Sequence, residues 1–493
     1  MSKKSEYVSL SIILALAFVL ITHSQFKIDT LYSYDAYFQN GISRIILDSG
    51  DVVYDVLEPP YAASSTVVTI GYVPMPPISQ TILSLVTSSS LFFAAKIYII
   101  TFFFMLILTI YILTKKITKS PVASIFSSFV FIFIPIVFYR LNYIVGESSA
   151  LLLWLLIFFI LINQKATMLN ISLVPLFVAG LTFHPRSLIF YLPLMIILYL
   201  LKNGFSKNNI NIRNLVIVLS ITIIAIPFLK FFILNLLAYS KQGATYILFP
   251  PITVQPITFD FISSQFGIFV LLISFFGLIY LFKNIKKFEY QFLSVWLLLG
   301  WMLIFVGFYL SFPSNRLTLH LGVILALLCG CVLQLVKNNS QRIMIPFILF
   351  LLIVPVVPIF NKSSWHNPFL GWGNEEKKAM MFLSSNIVEK EHEEDYLIFT
   401  SAYSLPFGYG LKHIEFNETL LAEILSSSTE QDLLLKFNQK YPSKKVVYII
   451  KENYANKIIS NRFPILKNLD DGKIIYSSSK VQIYRYPIKG IET

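Results

Sequence analysis

The chain has 493 residues, of which 56% are hydrophobic, 16% are aromatic and only 13% are charged. Soluble domains carry about 25% charged residues on average, so this composition excludes an ordinary soluble protein. The net charge is +13. Residues 1–360 contain 22 Lys and Arg against 10 Asp and Glu, whereas residues 361–493 contain 17 Lys and Arg against 16 Asp and Glu. The positive excess therefore belongs to the apolar part, where it sets membrane topology, and no nucleic-acid partner is expected.

About eleven apolar runs are long enough to cross a bilayer, because a membrane-spanning helix needs roughly 20 residues. The sequence predicts a mostly α-helical, polytopic membrane domain over residues 1–360, with a long outer loop at 27–89. The predicted spans are 7–26, 90–113, 121–139, 145–163, 168–183, 187–201, 214–237, 263–282, 290–310, 317–336 and 342–360.

The loops between these spans alternate in their content of Lys and Arg. One set of loops contains fourteen basic residues and the other set contains six before residue 361. By the positive-inside rule the richer set is cytoplasmic, which places the N-terminus inside and residues 361–493 outside. A composition rich in Ile, Lys and Asn favours the plasma membrane of a prokaryote as the location.

The first outer loop is unusually acidic. Six of the ten Asp and Glu residues before position 361 lie between Asp29 and Glu58. Carboxylates are costly next to lipid, so this concentration indicates a polar site at the outer edge, and a solvated loop is the alternative. The apolar spacing from Asp35 to Leu47 predicts a helix along the membrane surface, and Pro77 is suited to begin a short helix over residues 78–86.

Residues 361–493 predict a small extracytoplasmic α/β domain of about 130 residues, which is large enough to fold by itself. A helix is expected to begin at Asn374, because Asn favours the N-cap and two glutamates follow it. Strand patterns occupy residues 396–399, 445–450, 474–476 and 481–486, and helical patterns occupy 418–426 and 429–438.

Basic or imidazole side chains mark the outer ends of several spans. Arg140 and Glu147 flank the turn between the third and fourth spans. Each such residue can simply extend to the lipid headgroups or end a helix. Opposite an acidic loop, however, they suit a site that binds a phosphate while a carboxylate such as Asp35 accepts a proton or holds a cation. The other outer-end residues are His184, Arg186, Lys241 and Arg316.

Together these features resemble the GT-C glycosyltransferases, multispanning enzymes that use polyprenyl-phosphate-linked sugars. The shared features are an N-in first helix, a long outer loop with an early Asp, an acid in the second outer loop and a proline-rich entry to the next helix. The resemblance implies that Asp35 and Glu147 are the catalytic carboxylates and the candidate ligands of a divalent cation, Mg²⁺ or Mn²⁺. It implies that Arg316, in SNRLTLHLGVILALLCG, binds the donor phosphate, with support from Arg186, Lys241, Arg140 and His184.

The sequence also departs from parts of that family. Ala36 follows Asp35, so the Asp-Glu pair of protein mannosyltransferases is absent, and residues 405–410 are only a distant match to the WWDYG motif of oligosaccharyltransferases. These departures favour transfer of a single sugar to a lipid, glycan or protein acceptor. A transporter or flippase of lipid-linked saccharides is one alternative, but Lys96 and Lys230 are the only charged residues deep within the predicted spans. A non-catalytic membrane scaffold is the other alternative.

Overall fold

The computed structural model divides into two compact units. Unit 1 comprises residues 1–24, 97–235 and 254–365, and unit 2 comprises residues 25–96, 236–253 and 366–493. The predicted domain boundary at residue 360 lies outside the described residues and stays a prediction. The structure describes residues 2–26, 34–50, 75–141, 146–162, 173–183, 191–195, 197, 259–309, 314–336, 374–390, 395–400, 406, 409–414, 423–452, 465, 469–470, 473–479 and 481–488.

The described part before residue 361 is helical, as predicted. The two predicted spans at 214–237 and 342–360 lie outside the described residues, and the span at 187–201 is described only at 191–195 and 197. The helices are α1 (Lys3–Phe26), α2 (Tyr34–Ser49), α3 (Met75–Thr87), α4 (Leu91–Thr118), α5 (Pro121–Phe133), α6 (Pro135–Leu141), α7 (Gly146–Ile162), α8 (Leu173–Phe183), α9 (Phe259–Phe266), α10 (Ile268–Lys283), α11 (Phe288–Tyr309) and α12 (Ser314–Val332).

Two of these helices, α1 and α4, are long and apolar enough to cross a membrane by length and composition. Four shorter apolar helical segments accompany them in the part of the chain that is described. They are Pro121–Phe133, Gly146–Ile162, Ile268–Lys283 and Thr318–Val332. The predicted number of eleven spans and the predicted topology stay predictions.

Two predicted spans are each broken into two helices. The run at 121–139 breaks at Ile134, whose backbone is extended because the following residue, Pro135, disfavours the helical conformation. The run at 263–282 breaks at Gly267, whose φ of 80° lies in the left-handed region that glycine adopts without strain. Apolar composition alone did not reveal either break.

Helix α12 lies at the centre of unit 1, with every residue from 318 to 331 buried. Glycines let its neighbours approach closely: a Cβ on Gly277 of α10 would lie 2.2 Å from the carbonyl oxygen of Leu328, and one on Gly322 would lie 2.9 Å from Val137. The Ser127 hydroxyl of α5 donates a hydrogen bond to the Ala326 carbonyl oxygen at 2.7 Å. These contacts fix α12 against α5, α6 and α10.

In unit 2, helices α2 and α3 pack through uncharged polar side chains. The Gln80 amide donates to the Asn40 side-chain oxygen at 2.7 Å and to the Leu91 carbonyl oxygen at 2.9 Å. The Ser43 hydroxyl donates to the Gln80 side-chain oxygen at 3.0 Å, and the Thr81 hydroxyl donates to the Ser43 carbonyl oxygen at 3.0 Å. The predicted helix over residues 35–47 is confirmed, and the predicted short helix begins slightly earlier, at Met75.

The C-terminal segment of unit 2 contains a four-stranded mixed sheet with the order β1-β2-β4-β3. Strands β1 and β2 are parallel, and the other pairs are antiparallel. All four predicted strands and the predicted helices at Asn374 and 429–438 are confirmed, while the pattern at 418–426 is described only from residue 423. The elements are α13 (Asn374–Lys390), β1 (Tyr396–Thr400), α14 (Glu430–Lys440), β2 (Val446–Glu452), β3 (Ile474–Ser477) and β4 (Val481–Pro487).

The sheet and α14 enclose an apolar core. Phe399 of β1 meets Phe437 of α14 edge to face, with ring centroids 4.9 Å apart. Thr429 caps α14 by accepting a hydrogen bond from the Asp432 backbone N–H at 3.1 Å. Residues 396–400 of β1 and 446–450 of β2 are all buried, as expected for strands that are covered on both faces of the sheet.

Candidate functional site

Unit 1 contains a buried group of polar and charged side chains, which we call the charged cluster: Arg140, Glu147, Tyr191 and His320. Arg140 lies in the last turn of α6 and Glu147 lies in the first turn of α7, where the positive end of the helix dipole favours a carboxylate. Arg140 Nη2 is 3.6 Å from Glu147 Oε2, and both side chains are less than a tenth exposed. The two residues therefore form a buried ion pair between the end of α6 and the start of α7.

His320 and Tyr191 complete the charged cluster. His320 Nε2 lies 3.8 Å from Glu147 Oε1, and the Tyr191 hydroxyl lies 2.5 Å from His320 Nδ1. The imidazole therefore lies between a carboxylate and a phenol. The Tyr191 ring stacks on Trp154 with centroids 4.7 Å apart, and its edge meets His320 at 5.1 Å.

The surroundings of the charged cluster are closely packed. A Cβ on Gly180 of α8 would lie 3.3 Å from the Trp154 ring, so the glycine lets α8 pack closely against α7. Tyr98 of α4 and Ser149 of α7 form a buried hydrogen bond at the first turn of α7, the turn that contains Glu147. The cluster is thus held by side chains from several helices, which fixes its geometry.

The Arg140 guanidinium makes Glu147 a poor site for a divalent cation. A cation bound to this carboxylate would bring two positive charges against a buried guanidinium in a medium of low dielectric constant. Within the described ranges, no group of three His, Cys, Asp or Glu side chains is placed to hold a metal ion. The residues at Glu147 therefore fit an ion pair better than they fit a metal.

The second candidate carboxylate, Asp35, lies in the first turn of α2, in unit 2. The helical repeat places its position on the same face of α2 as Gln39 and Ile42. Gln39 is fully buried, and neither atom of its amide makes a hydrogen bond in the part of the chain that the structure describes. A buried amide in that state is costly, so the Gln39 side chain differs from those of Asn40 and Ser43, which are hydrogen-bonded to Gln80 of α3.

The other predicted residues are distributed unevenly. Arg316 lies in the first turn of α12, one helical turn before His320. His184, Arg186 and Lys241 lie outside the described residues. Of the predicted residues, the structure brings together Arg140 and Glu147.

No protein-family model matches the sequence, and no curated protein matches it by sequence. Solved structures do match. The oligosaccharyltransferase AglB from Archaeoglobus fulgidus, in complex with an inhibitory peptide and a dolichol-phosphate, has a TM-score of 0.60 and 12% identity over 91% of this chain and 70% of that chain. ArnT from Cupriavidus metallidurans, bound to undecaprenyl phosphate, has a TM-score of 0.59 and 11% identity over 98% of both chains.

A third solved structure matches with a similar TM-score and similarly low sequence identity. The arabinofuranosyltransferase AftD from Mycobacteria has a TM-score of 0.57 and 10% identity, over 98% of this chain and 40% of that chain. All three matching proteins are GT-C glycosyltransferases. This chain has the GT-C fold. The resemblance inferred from the sequence is thereby confirmed at the level of fold.

Within this GT-C fold, two residues of the charged cluster were not anticipated. His320 is a histidine inside an otherwise apolar run, and an ionisable residue within a predicted span is a functional signal in its own right. That signal is present in the sequence, four residues after Arg316. Tyr191 had no such signal, because tyrosines are common near the ends of membrane-spanning helices.

Proposed function

We propose that the chain is a membrane glycosyltransferase of the GT-C type, which transfers a sugar from a polyprenyl-phosphate-linked donor to an acceptor on the extracytoplasmic side. The fold supports this proposal, as do the lipid phosphates that AglB and ArnT bind in their solved structures. We also propose that the protein is an integral component of a prokaryotic plasma membrane, with its N-terminus in the cytoplasm.

The observation that carries the proposal is the charged cluster. Buried charges are expensive in a membrane protein and are retained mainly for function. Glu147 and Arg140 lie at helix ends, and His320 lies in the second turn of α12. A flippase or transporter usually needs ionisable groups near the middle of the membrane, so this placement favours an enzyme that works at one membrane face.

The proposed chemistry needs a base and a group of cations. Asp35 accepts the proton of the acceptor hydroxyl, whose oxygen attacks the anomeric carbon of the donor sugar. The bond between that carbon and the phosphate oxygen breaks, and the polyprenyl phosphate leaves as an anion. Arg316 binds this phosphate with help from the other basic residues, because a guanidinium matches phosphate oxygens in pairs. Those residues are Arg140, His184, Arg186 and Lys241.

In this proposal Glu147 acts through Arg140 and His320 rather than through a metal. Its carboxylate orients the guanidinium and neutralises its charge when no phosphate is bound. One solved structure of AglB is a complex with Zn and sulfate. A divalent cation at Asp35 stays a prediction, and no step of the proposed chemistry is assigned to it.

The test is substitution of Asp35 by Asn, which keeps the shape of the side chain and removes the base. We expect transfer to fall by about 10²–10⁴-fold, the usual contribution of a general base. The protein is placed in nanodiscs with undecaprenyl-phosphate-linked monosaccharides and an extract of envelope glycans and lipids. Release of undecaprenyl phosphate is measured by mass spectrometry.

Asp48 provides the matched control, because it is an exposed carboxylate on the same helix. Asp48→Asn is expected to keep full activity and normal membrane insertion. An Asp35→Asn protein with wild-type activity would contradict the assignment of the base. Failure of the wild-type protein to release undecaprenyl phosphate from any of the donors would contradict the proposed reaction.

A further inference from the structure

Helix α2 contacts both α3 and the C-terminal segment of unit 2. Asn40 and Ser43 face α3, through the hydrogen bonds of Gln80 and Thr81. The helical repeat places Tyr37 and Arg44, seven positions apart, on one side of α2 with Asn40 between them, nearly opposite the position of Asp35. This side of α2 also contacts the C-terminal segment of unit 2.

The contact is made by a tight turn, which we call the aromatic turn: Tyr409 and Gly410. The Tyr409 ring stacks on Tyr37 with centroids 5.9 Å apart and an interplanar angle of 29°. It also meets Phe92, at the start of α4, with centroids 5.3 Å apart. Burial raises the pKa of the Tyr409 phenol above its ordinary value, so this ring stays neutral at physiological pH.

Gly410 is required for the close approach of Arg44. Its φ is +78°, in the left-handed region that favours glycine. A Cβ at this position would lie 2.4 Å from Arg44 Cδ and 2.9 Å from Arg44 Nε, too close for any real contact. The long side chain of Arg44 therefore lies directly over the glycine, where any other residue would displace it.

The aromatic turn is fixed to the sheet of the C-terminal segment. The Leu411 backbone N–H donates to the Pro406 carbonyl oxygen at 3.0 Å, which closes the turn. The Ile398 backbone N–H donates to the His413 carbonyl oxygen at 2.9 Å, and Ile398 pairs with Ile414 in a parallel bridge. The aromatic turn is thus attached to β1 through backbone hydrogen bonds, and it contacts α2 through the Tyr409 ring and Gly410.

We propose that the aromatic turn is a positioning element, by which the C-terminal domain sets the orientation of α2 and hence of Asp35. The α3 contact and the aromatic turn together hold α2, whose first turn contains Asp35. Tyr409 touches neither substrate nor the reacting atoms in this proposal. The proposal rests on the proposed function, since it assigns Tyr409 a role in that reaction.

The test compares Tyr409→Ala with Tyr409→Phe. Loss of the ring should free α2, and a displacement of about 1 Å in a catalytic group can lower the rate by about 10²-fold. We expect Tyr409→Ala to lower kcat by about 10- to 100-fold, with KM for the donor unchanged within about twofold. Tyr409→Phe keeps both ring contacts and should retain wild-type kcat.

A second readout is independent of activity. Amide hydrogen exchange over residues 36–47 should be faster in Tyr409→Ala and in Tyr37→Ala, and unchanged in Tyr409→Phe. Phe382→Ala is the matched control, because Phe382 packs on Tyr476 at the far strand of the sheet, with centroids 5.2 Å apart. That variant should leave exchange over residues 36–47 as in the wild type.

The two readouts separate the two proposals. Faster exchange in Tyr409→Ala without any transfer by the wild-type protein would support the positioning contact and overturn the proposed function. Unchanged exchange and unchanged kcat in Tyr409→Ala would overturn the positioning role. Unchanged exchange with a raised KM would overturn it as well, because Tyr409 would then contact the substrate.

Discussion

The buried polar contacts of unit 1 and unit 2 differ in kind. In unit 1 the charged cluster joins α6, α7 and α12 through an ion pair and an imidazole. In unit 2 the amide of Gln80 and the hydroxyls of Ser43 and Thr81 join α2 and α3 without any charge. A polar contact can thus hold two helices together with or without charge.

The difference has an energetic consequence. Removing one partner of a buried ion pair leaves a charge without compensation, which costs about 3–5 kcal/mol. Removing one partner of a neutral hydrogen bond costs about 1–3 kcal/mol. Loss of one partner should therefore destabilise unit 1 more than the loss of a neutral partner destabilises unit 2.

The largest effect is expected from Arg140→Met. This change keeps the length of the side chain but leaves the Glu147 carboxylate buried beside an uncharged group, so the free energy of unfolding should fall by about 3–5 kcal/mol. The measurement is thermal unfolding of the protein in nanodiscs, followed by tryptophan fluorescence. We also expect weaker binding of undecaprenyl phosphate in the folded protein.

The double variant Arg140→Met/Glu147→Leu is the control for that prediction. It removes both charges, so it should regain most of the lost stability while binding of undecaprenyl phosphate stays weak. If the single and double variants are equally unstable, the loss comes from packing rather than from the unpaired charge. That result would contradict the description of Arg140 and Glu147 as an energetically coupled pair.

The sequence predicted those parts of the fold that depend on local patterns. Short runs rich in β-branched and aromatic residues predicted the four strands, and the apolar spacing after Asp35 predicted α2. Arg140 and Glu147 lie seven positions apart, at the end of one predicted span and the start of the next, so the sequence alone keeps them in the same part of the chain. These features need no knowledge of the tertiary structure.

Contacts between distant parts of the chain were not predictable in this way. His320 meets Glu147 only because α12 is central to unit 1, and the glycine at position 322 lets α6 approach it. Likewise, Tyr409 belongs to a segment that only distantly matches a family motif, and nothing in the sequence indicates that it stacks on Tyr37. Such pairings are decided by packing rather than by periodicity.

An intermediate effect is expected from Gln80→Leu in unit 2. The substitution removes the donor to Asn40 and Leu91 and the acceptor for Ser43, but leaves no charge behind. The free energy of unfolding should fall by about 1–3 kcal/mol, with faster amide exchange in α2 and α3. Thr87→Val, at the exposed end of α3, is the control and should change stability by less than about 0.5 kcal/mol. If Gln80→Leu lowered the free energy of unfolding as much as Arg140→Met does, the buried neutral contacts of unit 2 would be as important for stability as the buried ion pair of unit 1, which would contradict this prediction.

The smallest effect is expected from Lys445→Met, which breaks an ion pair at the surface of the C-terminal domain. Lys445 Nζ lies 2.7 Å from Asp395 Oδ2, closer than the buried pair, but the Lys445 side chain is 53% exposed and water screens the attraction. The backbone hydrogen bond from Lys445 N–H to the Asp395 carbonyl oxygen is unaffected by the substitution. We therefore expect a loss of at most about 1 kcal/mol, measured by amide exchange in β1 and β2 at low salt, and no loss at about 1 M salt, where the Debye length is about 3 Å. A loss of stability that persists at high salt would contradict this prediction. It would show that the short distance between the two charged atoms determines the strength of this ion pair more than its exposure to water does.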